Sequence, residues 1–195
     1  MRNIKLFFLL VVFNNCLAQT DIYTRIYQSA DSLAIKGKIG VLENEVYEAA
    51  NSLSDKHPME YFKTSGQYIK QQKFNEASFL FYLGYLRYKY YNSSNPDYQA
   101  SGDGALAGSL SAMLGEPINM YLRSNIENFI SILNSTIQFN QTNNYIFYPK
   151  EKDLEKYNIQ VRHSTDMLED MKSNKAKYAK EWKKERKEIQ KLLRQ

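Results

Sequence analysis

Four carboxylates, Glu60, Glu76, Asp103 and Glu116, are the side chains of this 195-residue chain best suited to acid–base work. Two carboxyl groups facing each other across a cleft can cut a glycosidic bond, one protonating the leaving oxygen and the other acting as base or nucleophile. Local structure explains two of them without chemistry. Glu76 follows Asn75 at a predicted helix start, where the positive helix end favours a carboxylate, and Asp103 stands where the next helix needs an N-cap. The two histidines, His57 and His163, are not spaced as a metal-binding pair on one helix face. No G-x-S-x-G turn is present to expose a nucleophile. Gly102 to Gly108 misses the G-x-G-x-x-G spacing by one residue and lacks the Lys-Ser/Thr of a phosphate loop. The oxygen-rich run 92–103 lacks the alternating ligands and closing glutamate of a calcium loop. No metal or cofactor is expected, and no residue pattern specifies a reaction.

Binding chemistry is better represented. The chain holds 16 tyrosines, with Tyr82, Tyr85, Tyr88, Tyr90 and Tyr91 in one predicted helix. A tyrosine buries a ring and keeps a hydroxyl for water or a ligand, which suits a core rim, a sugar site or a protein interface. Arg87 sits among them. A guanidinium there needs a partner, and Glu76, Asp103 or Glu116 is expected to supply it as a structural ion pair, the alternative being a ligand anchor. The candidate binding residues are Tyr68, Glu76, Tyr82, Arg87, Tyr88, Asp103, Glu116 and Asn119.

The elements that must position these residues centre on a helical hairpin, residues 58–91. Pro58 suits a first helical turn. Tyr61, Phe62, Ser65, Tyr68 and Ile69 recur at helical spacing. After the polar Gln71-Gln72-Lys73, Asn75 is the expected cap of a second helix. Ala77, Leu80, Phe81, Gly84, Tyr85, Tyr88 and Tyr91 make one face of that helix. Phe79, Leu83 and Leu86 widen it until the helix is apolar almost all round, which makes it central. Gly84 inside it implies that another helix passes close.

Tyr68, Phe74, Ala77, Phe81 and Gly84 resemble the signature of a tetratricopeptide hairpin. The likeness covers one unit of about 34 residues. It has no second copy and lacks the repeat's leading Trp and closing Pro, so a solenoid is not implied. The runs FNEASFLFYLGYLRYKYY, SGDGAL and GEPIN also resemble a family of exported or periplasmic bacterial helical proteins, which implies an address and a helical fold and carries no activity.

The rest of the chain reads as helices too. Asp21 to Lys36 and Leu42 to Leu53 are amphipathic. Ala105 to Leu114 is a small-residue helix that Gly115 should end, with Pro117 opening the next turn. Asn125 caps a helix carrying Ile126, Phe129, Ile130, Leu133 and Ile137. Tyr145 to Tyr148 is expected to be an extended segment laid on helices, and the fold class is all-α. Residues 1–18 read as a secretory signal: Arg2 and Lys5, then an apolar core too short to span a bilayer. Cleavage is expected after Ala18, lipidation of Cys16 being the alternative. Residues 19–150 are expected to form the helical domain, and 151–195 a charged amphipathic C-terminal helix. Residues 172–195 carry +7 and the leader +2, so a whole-chain charge of +5 leaves −4 on residues 19–171. The basic terminal helix is expected to rest its apolar stripe on that acidic body, the alternatives being docking on a partner or self-association, or an anionic surface such as a membrane. No segment reads as transmembrane, and nothing reads a nucleic-acid groove. The functional expectation is an exported, non-catalytic helical module for a protein or peptide partner, of which an immunity-type protein is one version. The alternative is a cell-envelope enzyme acting on a glycan or peptidoglycan.

Overall fold

In the computed structural model, residues 22–193 are described; the leader and Cys16 lie outside them. Eight α-helices and no strand occur among the described residues: α1 (22–35), α2 (Asn44–Ser52), α3 (Met59–Lys70), α4 (Phe74–Ser94), α5 (Ala105–Leu122), α6 (Ile126–Thr142), α7 (Leu154–Ser173) and α8 (Lys175–Leu192). None is long and apolar enough to cross a membrane.

α4 is the axis. It packs against α3, α5, α6 and α7, and 14 of its 21 residues are buried, so it has no solvent face along most of its length. The five residues of helical spacing in α3, Tyr61, Phe62, Ser65, Tyr68 and Ile69, are the five that it buries. α3 presses on α4 at Gly84, where a Cβ would stand 2.7 Å from the Tyr61 Cβ. The link between the two helices is a Schellman closure. Gln72 takes a left-handed φ of 60°, and its N–H and that of Lys73 donate to the carbonyls of Ile69 and Tyr68 at 2.9 and 3.0 Å. Glycine usually fills this position.

Several elements differ from expectation for identifiable reasons. α4 begins at Phe74, one residue before Asn75, and Asn75 caps nothing. It is buried, donates to the carbonyls of Lys38 and Val41 at 3.3 and 3.2 Å, and accepts from the Tyr121 hydroxyl at 2.8 Å and the Asn128 amide at 2.9 Å. Asn128 in turn accepts the Gly40 N–H at 2.7 Å, which ties the loop after α1 to α6. α5 does not stop at Gly115. That glycine faces the Phe81 ring, 3.3 Å from where a Cβ would sit, so it serves close packing rather than chain reversal. The helix continues through Pro117, whose missing N–H leaves the carbonyl of Met113 free on an exposed turn. Asp103 makes no cap bond, because residues Ala100–Gly104 form a π-type turn ahead of α5.

Asn125 does cap α6, accepting from the N–H groups of Glu127 and Asn128 at 3.0 and 3.1 Å. Residues 145–148 lie irregularly on the helices, pinned by Tyr145 O–H to the Lys56 carbonyl at 2.9 Å and by Phe147 N–H to the Ser54 carbonyl at 2.9 Å. The terminal stretch is two helices, broken at Asn174, whose side chain donates back to Asp170. α7 buries Leu168 and Met171. α8 lays Trp182 on Phe129 with ring centroids 5.8 Å apart, and it meets acids of the body through Arg186 to Asp31 (2.7 Å) and Lys175 to Glu127 (2.8 Å).

Candidate functional site

The expected charges do not converge. Glu76 is buried in the first turn of α4. Burial pushes its carboxyl above the usual range, opposed by the N–H groups of Glu76 and Glu43. Glu116 is exposed on α5 and accepts from the Tyr23 hydroxyl. Tyr82 donates to Asn119 Oδ1 at 2.7 Å, a pairing that closes both residues on each other. Tyr68 is a core ring whose carbonyl serves the Schellman closure. Among the described residues, no three His, Cys, Asp or Glu side chains gather to hold a metal.

Arg87 has no carboxylate partner among the described residues, so the expected ion pair with Glu76, Asp103 or Glu116 is not formed. It is 2 % exposed. Its guanidinium lies 4.7 Å from the Tyr145 ring centre, 4.9 Å from that of Tyr61 and 5.9 Å from that of Phe139. Nη1 donates to the Tyr61 hydroxyl, while Nε to Asn140 Oδ1 and Nη2 to the Asn143 carbonyl span 3.5 Å each. Aromatic faces stabilise a desolvated cation by about 2 kcal/mol. Desolvating an ion costs several kcal/mol, and burial accordingly lowers the guanidinium's proton affinity.

Asp103 and Tyr88 do meet directly, and His57 joins them on the same carboxylate oxygen. His57 Nδ1 accepts the Met59 N–H at 3.3 Å, which leaves Nε2 to donate to Asp103 Oδ1 at 3.1 Å. The same oxygen accepts the Tyr88 hydroxyl at 3.2 Å. Burial, then the Asp103 charge, raises the Tyr88 phenol. His57 also stands edge-on to Tyr88, Tyr91 and Phe147. The network holds the Tyr88 ring in place and commits its proton to Asp103.

Tyr88 lines a cleft of about 660 Å³ bounded by α4, α5 and α7, within the size range of ligand sites. Tyr85, Tyr88 and Asn92 come from one side of α4, three and four residues apart. Tyr98 closes one end. Small residues, Gly104, Ala107 and Gly108, hold the α5 wall back, and α7 supplies Gln160 and His163. Lys89 lies at the wall, and among the described residues no carboxylate lines the cleft. The Asn92 Oδ1 is buried and has no hydrogen-bond partner among the described residues. An unmet acceptor in such a place is costly unless something donates to it.

Tyr88 is among the candidate binding residues read from the sequence; Asn92, Tyr98, Gly108 and His163 are not, the last two bearing there only on phosphate-loop spacing and on metal binding. No signal at those positions marks a cleft whose walls are brought together from three helices. His57 was weighed and set aside as lacking a metal or catalytic partner; it lies 46 residues from the aspartate it serves. No protein-family model matches the chain, and no curated protein or solved structure is significantly similar to it.

Proposed function

We propose that this chain is an exported, non-catalytic binding module that receives a segment of a protein or peptide partner in the cleft between α4, α5 and α7. The observation that carries the reading is the cleft itself, of about 660 Å³, lined by Tyr85, Tyr88 and Tyr98 together with Asn92, Gln160 and Lys89. Asn92, Gln160 and Lys89 offer polar groups to a peptide backbone, and Tyr85, Tyr88 and Tyr98 offer rings to an apolar side chain. The scattering of Glu76, Arg87, Asp103 and Glu116 over four separate settings argues against a two-carboxylate glycan-cleaving site, in which the acids must face one bond. An immunity-type role is the version in which the partner is a toxin. The single tetratricopeptide-like hairpin fits the same kind of use, since α4, its second helix, forms the cleft floor.

Capture from the envelope of the producing cell tests this, with residues 19–195 run beside a Gly108→Arg form. Space beyond Gly108 is open, with nothing within 4 Å of a Cβ there, so arginine fills the cleft without disturbing the core. One stoichiometric protein held by the unchanged chain and lost by Gly108→Arg is the expected result. Equal retention by both forms, or recovery of glycan alone, overturns the reading.

A further inference from the structure

A second, smaller cavity lies on the other side of α4, over Arg87. It has room for about 20 Å³ and is lined in part by Asn143, Asn144, Tyr148 and Lys150. Two cations line it, Arg87 and the half-buried Lys150, and among the described residues no carboxylate does. Neither cation forms an ion pair among the described residues. Of the five guanidinium N–H groups, three point at protein acceptors, two of them at the 3.5 Å limit. The one close acceptor, the Tyr61 hydroxyl, does not neutralise the charge, because its own proton is donated to the Ala50 carbonyl at 3.0 Å. The amide of Asn144 and the Gln160 side chain add uncommitted donors to the wall.

A buried charge is normally paired. Here the pairing is missing, and the space beside it mixes apolar walls with the side chains of Asn140, Asn144 and Gln160 and a second cation, Lys150. We propose that the cavity over Arg87 binds a small monovalent anion, either a free halide or the carboxylate of a larger ligand, as the counter-charge that the chain itself does not supply. The volume admits a single water-sized group, the size of a halide or of one carboxylate oxygen. The site is independent of the cleft reading, although Gln160 lines both spaces.

The test uses residues 19–195 at constant ionic strength, with sodium gluconate replaced stepwise by chloride, bromide or formate. A binding anion raises the thermal midpoint with saturation. Lys150→Gln, a change at the mouth that leaves the core intact, is expected to raise the half-saturating concentration about fivefold, the scale of one partly exposed charge pair. Crystals grown in bromide should show an anomalous peak within hydrogen-bond reach of the Arg87 guanidinium. A response to halide alone assigns a free ion, and a response to formate alone assigns the carboxylate of a ligand. No ion-specific rise, with only water over Arg87 in bromide crystals, overturns the proposal.

Discussion

Replacing Gly84 with alanine should destabilise the protein, although alanine is the better helix former. In a solvated helix the exchange is favourable by about 1 kcal/mol. At Gly84 the added Cβ would stand 2.7 Å from the Tyr61 Cβ, and 3.5 and 3.6 Å from two atoms of the Phe62 ring. Carbon atoms prefer roughly 3.5–4.0 Å, so α3 must move back by about 1 Å. Neither neighbour yields locally, because a Cβ is fixed to its backbone and both side chains are fully buried. Overpacking of this kind costs about 1–3 kcal/mol, so with the propensity gain set against it the net expectation is a loss of up to about 2 kcal/mol. Urea unfolding followed by circular dichroism measures it, and an unchanged denaturant slope shows that the unfolded state is not the cause. Gly108→Ala is the internal control. It sits in α5 with nothing within 4 Å of its Cβ, and it should gain up to about 1 kcal/mol. If both alanines stabilise alike, α3 does not press on α4 at Gly84, and the account of the hairpin is wrong.

Asn75→Ala should cost about 3 kcal/mol by the same assay, because it orphans the Tyr121 hydroxyl, the Asn128 amide and the carbonyls of Lys38 and Val41 together; a loss under about 1 kcal/mol would show the network to be replaceable by water. Gln72→Gly should stabilise by about 1 kcal/mol, since the left-handed φ at that position suits glycine, and an unchanged urea midpoint would contradict this. Burial raises the phenols of Tyr61 (to about 12), Tyr121 and Tyr145 above their ordinary 10.0. Their folded-state values lie above the unfolded ones, so the stability tied to their protonation is complete below pH 10 and is lost as pH rises toward the folded values. Each contributes about 1.4 kcal/mol per pH unit in that window, about 4 kcal/mol for the three. Helix signal should therefore collapse cooperatively above pH 10, in step with tyrosinate absorbance. Ionisation of all tyrosines with the helix signal intact at pH 12 would refute it.

Helical spacing made α3 legible because its buried face is set by the chain's own period, and the same holds for the all-α class. Asn75 shows where that reading stops. Asparagine is a good cap for the reason that it is a good buried hub: its short amide both donates and accepts. Only the approach of Tyr121, Asn128 and the 38–41 loop decides between the two uses. Gly115 was misread in the same way, because a glycine that ends a helix and one that admits a neighbouring ring look alike in sequence. Arg87 was identified as a charge in need of a partner. Its surroundings were not, since the cage comes from positions 61, 139 and 145, on three other elements. The cleft was legible only on its α4 side.

α4 forms a wall of both cavities. Leu86, Arg87 and Tyr90 face the small one, and Tyr85, Tyr88 and Asn92 face the cleft. The helix is buried against four others, so apart from the exposed Tyr85, Lys89 and Ser93 its residues can hardly change without changing the fold. The opposite walls are different. The cleft's α5 wall is glycine, alanine and serine, and its α7 wall is Gln160 and His163; these side chains bear little of the core. Specificity and stability are thereby placed on different helices. Substitutions on the exposed faces of α5 and α7 should alter what is bound while leaving the unfolding midpoint nearly fixed, and substitutions inside α4 should move the midpoint first. Gly108→Arg and Gly84→Ala are the two ends of that comparison. A Gly108→Arg protein that lost as much stability as Gly84→Ala would show that the cleft wall is part of the core, and the division between scaffold and site would fail.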